Sequence, residues 1–434
     1  MTVQISPRRR RDVIDALRRG VVPENGLDVL AVGLDRFTAA LDDDLDRVAD
    51  GGSVFKAIRG EYGAGKTFFA RWLAERAKRR GFAAAEVQVS ELETPLHRME
   101  TVYRRLVEHL NTEQFAASAL RPILDGWIFA LEEDVLANGA AGESDGDALD
   151  QAVGDLLELR LGEISRVTPG FAAALRGYRS ALAAGDRGTA DGLAAWLAGQ
   201  PHVAAAARRA AGVKGELDHF AALSFLRGLL TVLRDSGHPG LLLVLDEVET
   251  LQRVRSDSRD KALNGLRQLV DEVHTGQFPG LFLVITGTPA FFDGPQGVQR
   301  LAPLAQRLAT DFGPEPRWDN PRAVQVRLPG FSEPALIELG SRVREIYGTD
   351  RLAGRVDDAY LGELARAVSG KLGGKVGVAP RIYLKKLVAD VLDRVDQFAD
   401  WDPRQHYAPT LRADELTPVE QNAASAGDVP LDLP

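Results

Sequence analysis

Short apolar runs alternate with longer amphipathic ones along most of this chain. Residues 54–59 (VFKAIR), 84–89, 241–245 (LLLVL), 281–286 (LFLVIT) and 324–328 are compact and largely apolar, and they read as strands. Segments at 12–19, from about Asp35 and at 66–80 carry apolar residues at helical spacing, with Phe68, Trp72 and Leu73 expected to face inward. Strands that are apolar on both faces and alternate with helices predict an α/β fold, with a parallel sheet covered on both sides.

Two stretches break the alternation. About 150 residues separate Ser90 from Gly240, whereas a crossover between parallel strands needs only about 10 to 12. This interval is rich in Ala and Leu at helical spacing and is interrupted by an acidic, glycine-rich segment at 138–150, so it predicts a helical insertion with a mobile loop. After Pro329 the pattern becomes purely helical at 332–347, 357–369 and 380–398, and a small, polar tail follows. The expected organisation is an N-terminal segment at 1–50, a core at 51–111 and 237–330, an insertion at 112–236, a helical lid at 331–400 and a partly disordered tail at 401–434.

Composition narrows the classes. Of 434 residues, 45% are hydrophobic and 26% charged, as in ordinary globular proteins. No apolar run approaches the roughly 20 residues that a spanning helix needs, and the arginine-bearing N-terminus has no apolar segment behind it. The expectation is a cytoplasmic protein with no membrane partner. The absence of cysteine excludes disulfides, thiolate catalysis and Cys-zinc sites. A net charge of −9 argues against a dedicated nucleic-acid binder, and Arg8 to Arg11 read as a solvated helix start.

Candidate chemistry begins where the first strand ends. Gly60-Glu61-Tyr62-Gly63-Ala64-Gly65-Lys66-Thr67 has phosphate-loop spacing, followed by Phe68 in the helix it opens. Backbone N–H groups of such a loop surround a β-phosphate at the positive end of a helix, the lysine neutralises phosphate oxygens, and the threonine hydroxyl reaches Mg²⁺. LLLVLDEVET supplies the partner element. Asp246 ends a buried strand at its carboxyl edge, where α/β sheets place ligands, and is expected to share the metal with Thr67. Glu247 follows, placed to orient or deprotonate a water aimed at the γ-phosphate. No Asn-Lys-x-Asp element for guanine is present, so ATP is expected over GTP. If the strand LFLVITGTP lies between the other two, Thr286 or Thr288 reaches the γ-phosphate; the plainer reading of both is a hydroxyl-rich turn before Pro289. His97 stands without a second ligand or nucleophile and reads as structural, and Trp127, Trp196, Trp318 and Trp401 are expected to pack locally.

Together these elements resemble AAA+ P-loop ATPases of the origin-recognition and helicase-loader type. The stretches IDALRRGVVPENGLDVLAVGLD, IRGEYGAGKTFFARWLAE, ELETPLHRMETVYRRLVEHL and LDEVETLQR resemble more narrowly the ATP-binding proteins of bacterial BREX phage-defence systems. The resemblance implies an AAA+ fold, with Val22, Pro23 and Val32 near the adenine. It implies an arginine finger presented to a neighbouring subunit from GVQRLAPLAQRLAT, with Arg307 the first choice and Arg300 the second; the plain alternative is a helix-surface charge. It also implies a second sensor, Arg381, after the lid segment Gly377-Val-Ala-Pro380. Two departures stand out: the residues given after Phe398 lack a basic recognition helix, so duplex binding through a winged helix is not expected of them, and the insertion is long.

The function expected is a Mg²⁺-dependent ATPase, a homo-oligomeric switch or motor in DNA processing or phage defence. Its partners would include a helicase, nuclease or methyltransferase, and DNA would be contacted directly or through them. The alternative is an ATP-gated signalling or scaffold protein with slow hydrolysis. A small-molecule kinase is disfavoured, because no second-substrate pocket is suggested.

Overall fold

The structure is a computed structural model that describes residues 5–139, 146–371 and 380–409. The segments that begin or end the chain, the tip of the acidic segment, and Gly377 of the expected second-sensor motif lie outside these residues. Five parallel strands, β1 (Val54–Arg59), β2 (Ala83–Gln88), β3 (Leu241–Asp246), β4 (Leu281–Gly287) and β5 (Gln325–Arg327), form one sheet in the order β2-β3-β4-β1-β5. The expected α/β fold with one parallel sheet covered on both sides is therefore present, with β4 inserted between the phosphate-loop strand and the Asp-Glu strand. Register sets Ile58 beside Thr286 and Leu245 beside Ile285, so β1, β3 and β4 end at one edge.

Every residue of β1, β3 and β4 is buried, because helices cover both faces. Val54 and Ile58 point to one face, packed with Phe37, Leu41 and Leu45 of α2 (Asp35–Ala49) and Phe69, Trp72 and Leu73 of α3 (Lys66–Arg79). Lys56 shares that face and meets Asp44 of α2 at 3.2 Å. Phe55 and Ala57 face the opposite side, against α4 (Met99–Glu108) and the helices that follow it.

The long interval between β2 and β3 is helical, as expected, from α5 (Leu120–Ala137) through α6 (Gly146–Val167), α7 (Pro169–Ala183), α8 (Arg187–Leu197) and α9 (Ala205–Ala210) to α10 (His219–Asp235). Its apolar residues join the same hydrophobic cluster as the sheet face. Phe225 of α10 lies at the centre, within 5.1–5.8 Å of the rings of Trp196, Phe171 and Tyr103. Gly228 permits this crossing, since a Cβ there would stand 2.8 Å from the Phe171 ring.

After β3 come α11 (Ser256–His274), α12 (Pro289–Asp293) and α13 (Ala302–Leu308), which cover the outer face near β1 and β4. A separate apolar cluster joins α14 (Glu333–Tyr347), α15 (Asp358–Lys371) and α16 (Pro380–Lys385) to Val13, Ile14 and Leu17 of the N-terminal helix α1 (Pro7–Arg19). Arg18 of α1 grips Asp393 through two nitrogens at 2.6 and 2.9 Å. Past α16 the helix widens into a π turn over Lys386–Leu392. Among the described residues no helix is long and apolar enough to cross a membrane. Of the four tryptophans expected to pack locally, Trp127 and Trp196 are buried and Trp401 is half-buried, but Trp318 is 75% exposed, with the Arg317 guanidinium 5.0 Å from its ring centre.

Candidate functional site

At the shared edge of β1, β3 and β4 the chain makes a tight loop. Gly63 (φ 77°) and Gly65 (φ 87°) adopt left-handed backbone that a side chain would strain, and Gly65 caps α3. Lys66 is buried, and its Nζ donates to the carbonyls of Gly60 at 2.9 Å and Glu61 at 3.3 Å. The Tyr62 ring centre lies 5.1 Å from the same ammonium.

The other half of the site comes from β3 and β4. The Thr67 hydroxyl donates to Asp246 Oδ2 at 2.9 Å, and the Thr286 hydroxyl donates to Asp246 Oδ1. The Glu247 amide donates in turn to Thr286 Oγ1 at 3.1 Å. Asp246, Thr67, Thr286 and Glu247 thus form one connected cluster across three elements. The side chain of Thr286 joins it; Thr288 is buried at the start of α12. Glu247 itself is in left-handed backbone (φ 59°, ψ 44°), a costly conformation for a non-glycine residue and one that concentrates at functional sites. Its carboxylate accepts from Gln88 Nε2 at 2.9 Å, at the end of β2.

The oxygen donors fit a hard cation: one hydroxyl and one carboxylate at a strand terminus suit Mg²⁺ that takes its remaining ligands from water and phosphate. Among the described residues no group of three or more His, Cys, Asp or Glu side chains could hold a metal unaided. A cavity of about 150 Å³ adjoins the loop, lined by Val32, Ala64, Gly65 and Phe68 on one side and Leu328, Phe331 and Ala335 on the other. It suits a flat apolar group such as a purine. Val32 and a half-buried Phe68 line this cavity, while Val22 and Pro23 are not part of the wall. The Val22 carbonyl instead lies 3.4 Å from an Arg71 guanidinium nitrogen, beside the Arg71–Glu86 ion pair.

Two of the three arginines are held by α11. Arg300 binds Asp260 and Ser256 (2.7 Å to the serine hydroxyl), and Arg307 binds Asp271, so α11 holds both within the chain. Arg381 is exposed at the second position of α16. Two residues near the loop escaped sequence reasoning. Gln88 is one; the other is Glu249, a buried carboxylate 3.7 Å from Lys66 Nζ. Their only sequence signals are a polar residue ending an apolar strand and a second acid two positions after Asp-Glu.

The family model described as BREX system ATP-binding protein BrxC/D matches residues 5–411. No curated protein matches the chain. Among solved structures, one described as the Aeropyrum pernix ORC2 protein in ADPNP and ADP complexes is similar at 12% identity and a TM-score of 0.41, over 88% of this chain and 69% of that one.

Proposed function

Because the chain belongs to the BrxC/BrxD family of BREX-system ATP-binding proteins, we propose that it hydrolyses Mg²⁺-ATP as an oligomeric switch or motor in cytoplasmic phage defence. Lys66 and the loop amides would take the β- and γ-phosphates, and the cavity bounded by Val32, Phe68 and Phe331 would take adenine. Thr67 and Asp246 would hold Mg²⁺, whose charge polarises the γ-phosphate, and Glu247 would orient the attacking water with Thr286 fixing its backbone. Arg307 or Arg300 would enter a neighbouring subunit's site, and Arg381 would report closure of the lid. Partners of helicase, nuclease or methyltransferase class would convert the cycle into action on DNA.

The observation that carries this reading is the hydrogen-bonded set Thr67–Asp246–Thr286–Glu247, which joins a metal-type pair to the backbone amide of the residue that bears the water-type carboxylate. A slower, gated cycle with a scaffold role is the second reading. It is favoured by Gln88, which engages the Glu247 carboxylate, and by the in-chain partners of Arg300 and Arg307. Light scattering on wild type and Glu247→Gln, with and without ATP and DNA, separates the two. The motor reading expects Glu247→Gln to bind ATP, lose turnover by at least about 100-fold and accumulate a larger species. A chain that stays monomeric throughout would leave the finger arginines without a target and favour the scaffold.

A further inference from the structure

Glu249 is a carboxylate beside the loop to which the proposed chemistry gives no task. It sits in the 3₁₀ turn Val248–Gln252 that follows the left-handed Glu247, a turn closed by the Thr250 amide donating to the Glu247 carbonyl at 3.1 Å. It is only 4% exposed, and neither of its carboxylate oxygens accepts a hydrogen bond of ordinary geometry. Among the described residues Lys66 is the one cation within ion-pair distance, at 3.7 Å. Burial pushes the Glu249 carboxyl up, and Lys66 opposes that push.

A buried carboxylate without hydrogen bonds is costly unless a cation stays near it. Glu249 therefore draws Lys66 toward the turn after β3, while the Gly60 and Glu61 carbonyls hold the same ammonium at the base of the loop. A nucleotide phosphate needs that ammonium as well. Three of its neighbours are thus internal anchors, and only Glu249 carries full negative charge.

We propose that Glu249 is a positioning residue for Lys66 that competes with the nucleotide phosphates for its charge, and so weakens nucleotide binding and speeds release. Lys66 exchanges partners as the phosphates arrive and returns to Glu249 as they leave, which lets ADP depart without a separate exchange factor. This rests on the assignment of the loop to ATP.

The test is equilibrium binding and stopped-flow release of a fluorescent ADP and ATP analogue on wild type, Glu249→Gln and Glu249→Asp. Glu249→Gln keeps the shape and removes the charge, so affinity should rise about tenfold, mainly through slower release, a coupling of the size seen between contacting charged groups. Glu249→Asp withdraws the carboxylate by one methylene and should change in the same direction by less, which keeps the question answerable if the glutamine variant folds poorly. In a Lys66→Met background, where the proposed competition is gone, Glu249→Gln should leave the residual affinity unchanged within about twofold. A merely structural glutamate would give weaker binding and lower thermal stability instead. Unchanged or weakened binding in both Glu249 variants, with wild type binding normally, overturns the inference; failure of wild type to bind overturns the ATP assignment beneath it.

Discussion

Thr286→Val is the most informative change to the proposed site, because it alters bonding and almost nothing else. The side chain is fully buried, and valine has nearly the same shape, so packing is kept. Two hydrogen bonds disappear: the one donated to Asp246 and the one accepted from the Glu247 amide at 3.1 Å. A bond to a charged acceptor contributes about 1.5–3 kcal/mol and an ordinary one about 0.5–1.5. The cluster thus loses roughly 2–4 kcal/mol of organisation. If about 2 kcal/mol of that is expressed in the transition state, ATP turnover falls about 30-fold. Affinity for ATP should move less than about threefold, since the loop and the cavity wall are untouched. Thr286→Ser restores the hydroxyl and should recover most of the rate. Thr288→Val, the companion change, should be mild, because it is Thr286 whose hydroxyl joins Asp246 and Glu247 in this geometry. Steady-state phosphate release read beside nucleotide titration decides the matter. A Thr286→Val enzyme with wild-type turnover, or a larger loss in Thr288→Val, refutes the assignment of Thr286 to the site.

Two further outcomes follow from buried carboxylates away from the phosphates. Glu75 of α3 accepts the Gly26 amide at 3.0 Å, the Leu27 amide at 2.8 Å and the Arg9 guanidinium at 3.3 Å, pinning the segment that leads to Val32. Orphaning two buried donors costs about 1–3 kcal/mol each, so Glu75→Ala should lower chemical-denaturation stability by roughly 2–5 kcal/mol and weaken ATP binding through the loosened cavity wall; a loss under about 1 kcal/mol would refute that pinning role. Burial raises the Asp44 carboxyl above its ordinary value of 3.8, with Lys56 opposing. A raised native pKa means that the folded state holds the proton more tightly, so this contribution to stability is present below 3.8 and is lost as pH climbs through the native value. The unfolding free energy of wild type minus that of Asp44→Asn should therefore fall with rising pH across that window. A difference that rises instead would mean that the Lys56 charge outweighs desolvation.

The parts of the site that were legible in the sequence are those whose geometry is local. Gly60 to Thr67 encodes its own loop, because two glycines supply the positive φ and the helix begins at once. The place of β4 between β1 and β3 was only a premise in the sequence, from which Thr286 or Thr288 was expected near the γ-phosphate; the sheet order supplies that premise and sets the Thr286 hydroxyl against Asp246. Gln88 was illegible because 159 positions, including the whole insertion, separate it from Glu247, and only sheet order makes them neighbours. The insertion itself read as a separate unit, since amphipathic spacing reveals that a face is buried and leaves open against what; its apolar residues share the cluster under the sheet. Glu249 was hidden for a sharper reason. Continuing straight from β3, it would have alternated with Asp246 and Glu247 and ended as one more acid at the sheet edge. The left-handed turn at Glu247, which no propensity of glutamate foretells, redirects the chain and brings Glu249 to Lys66. The same strained residue whose carboxylate meets Gln88 therefore decides which acid faces the loop. A Glu247 backbone relaxed to ordinary φ would lose the Thr286 hydrogen bond and the Lys66 counter-ion together, so the proposed water activation and the proposed competition for Lys66 both rest on a single dihedral angle.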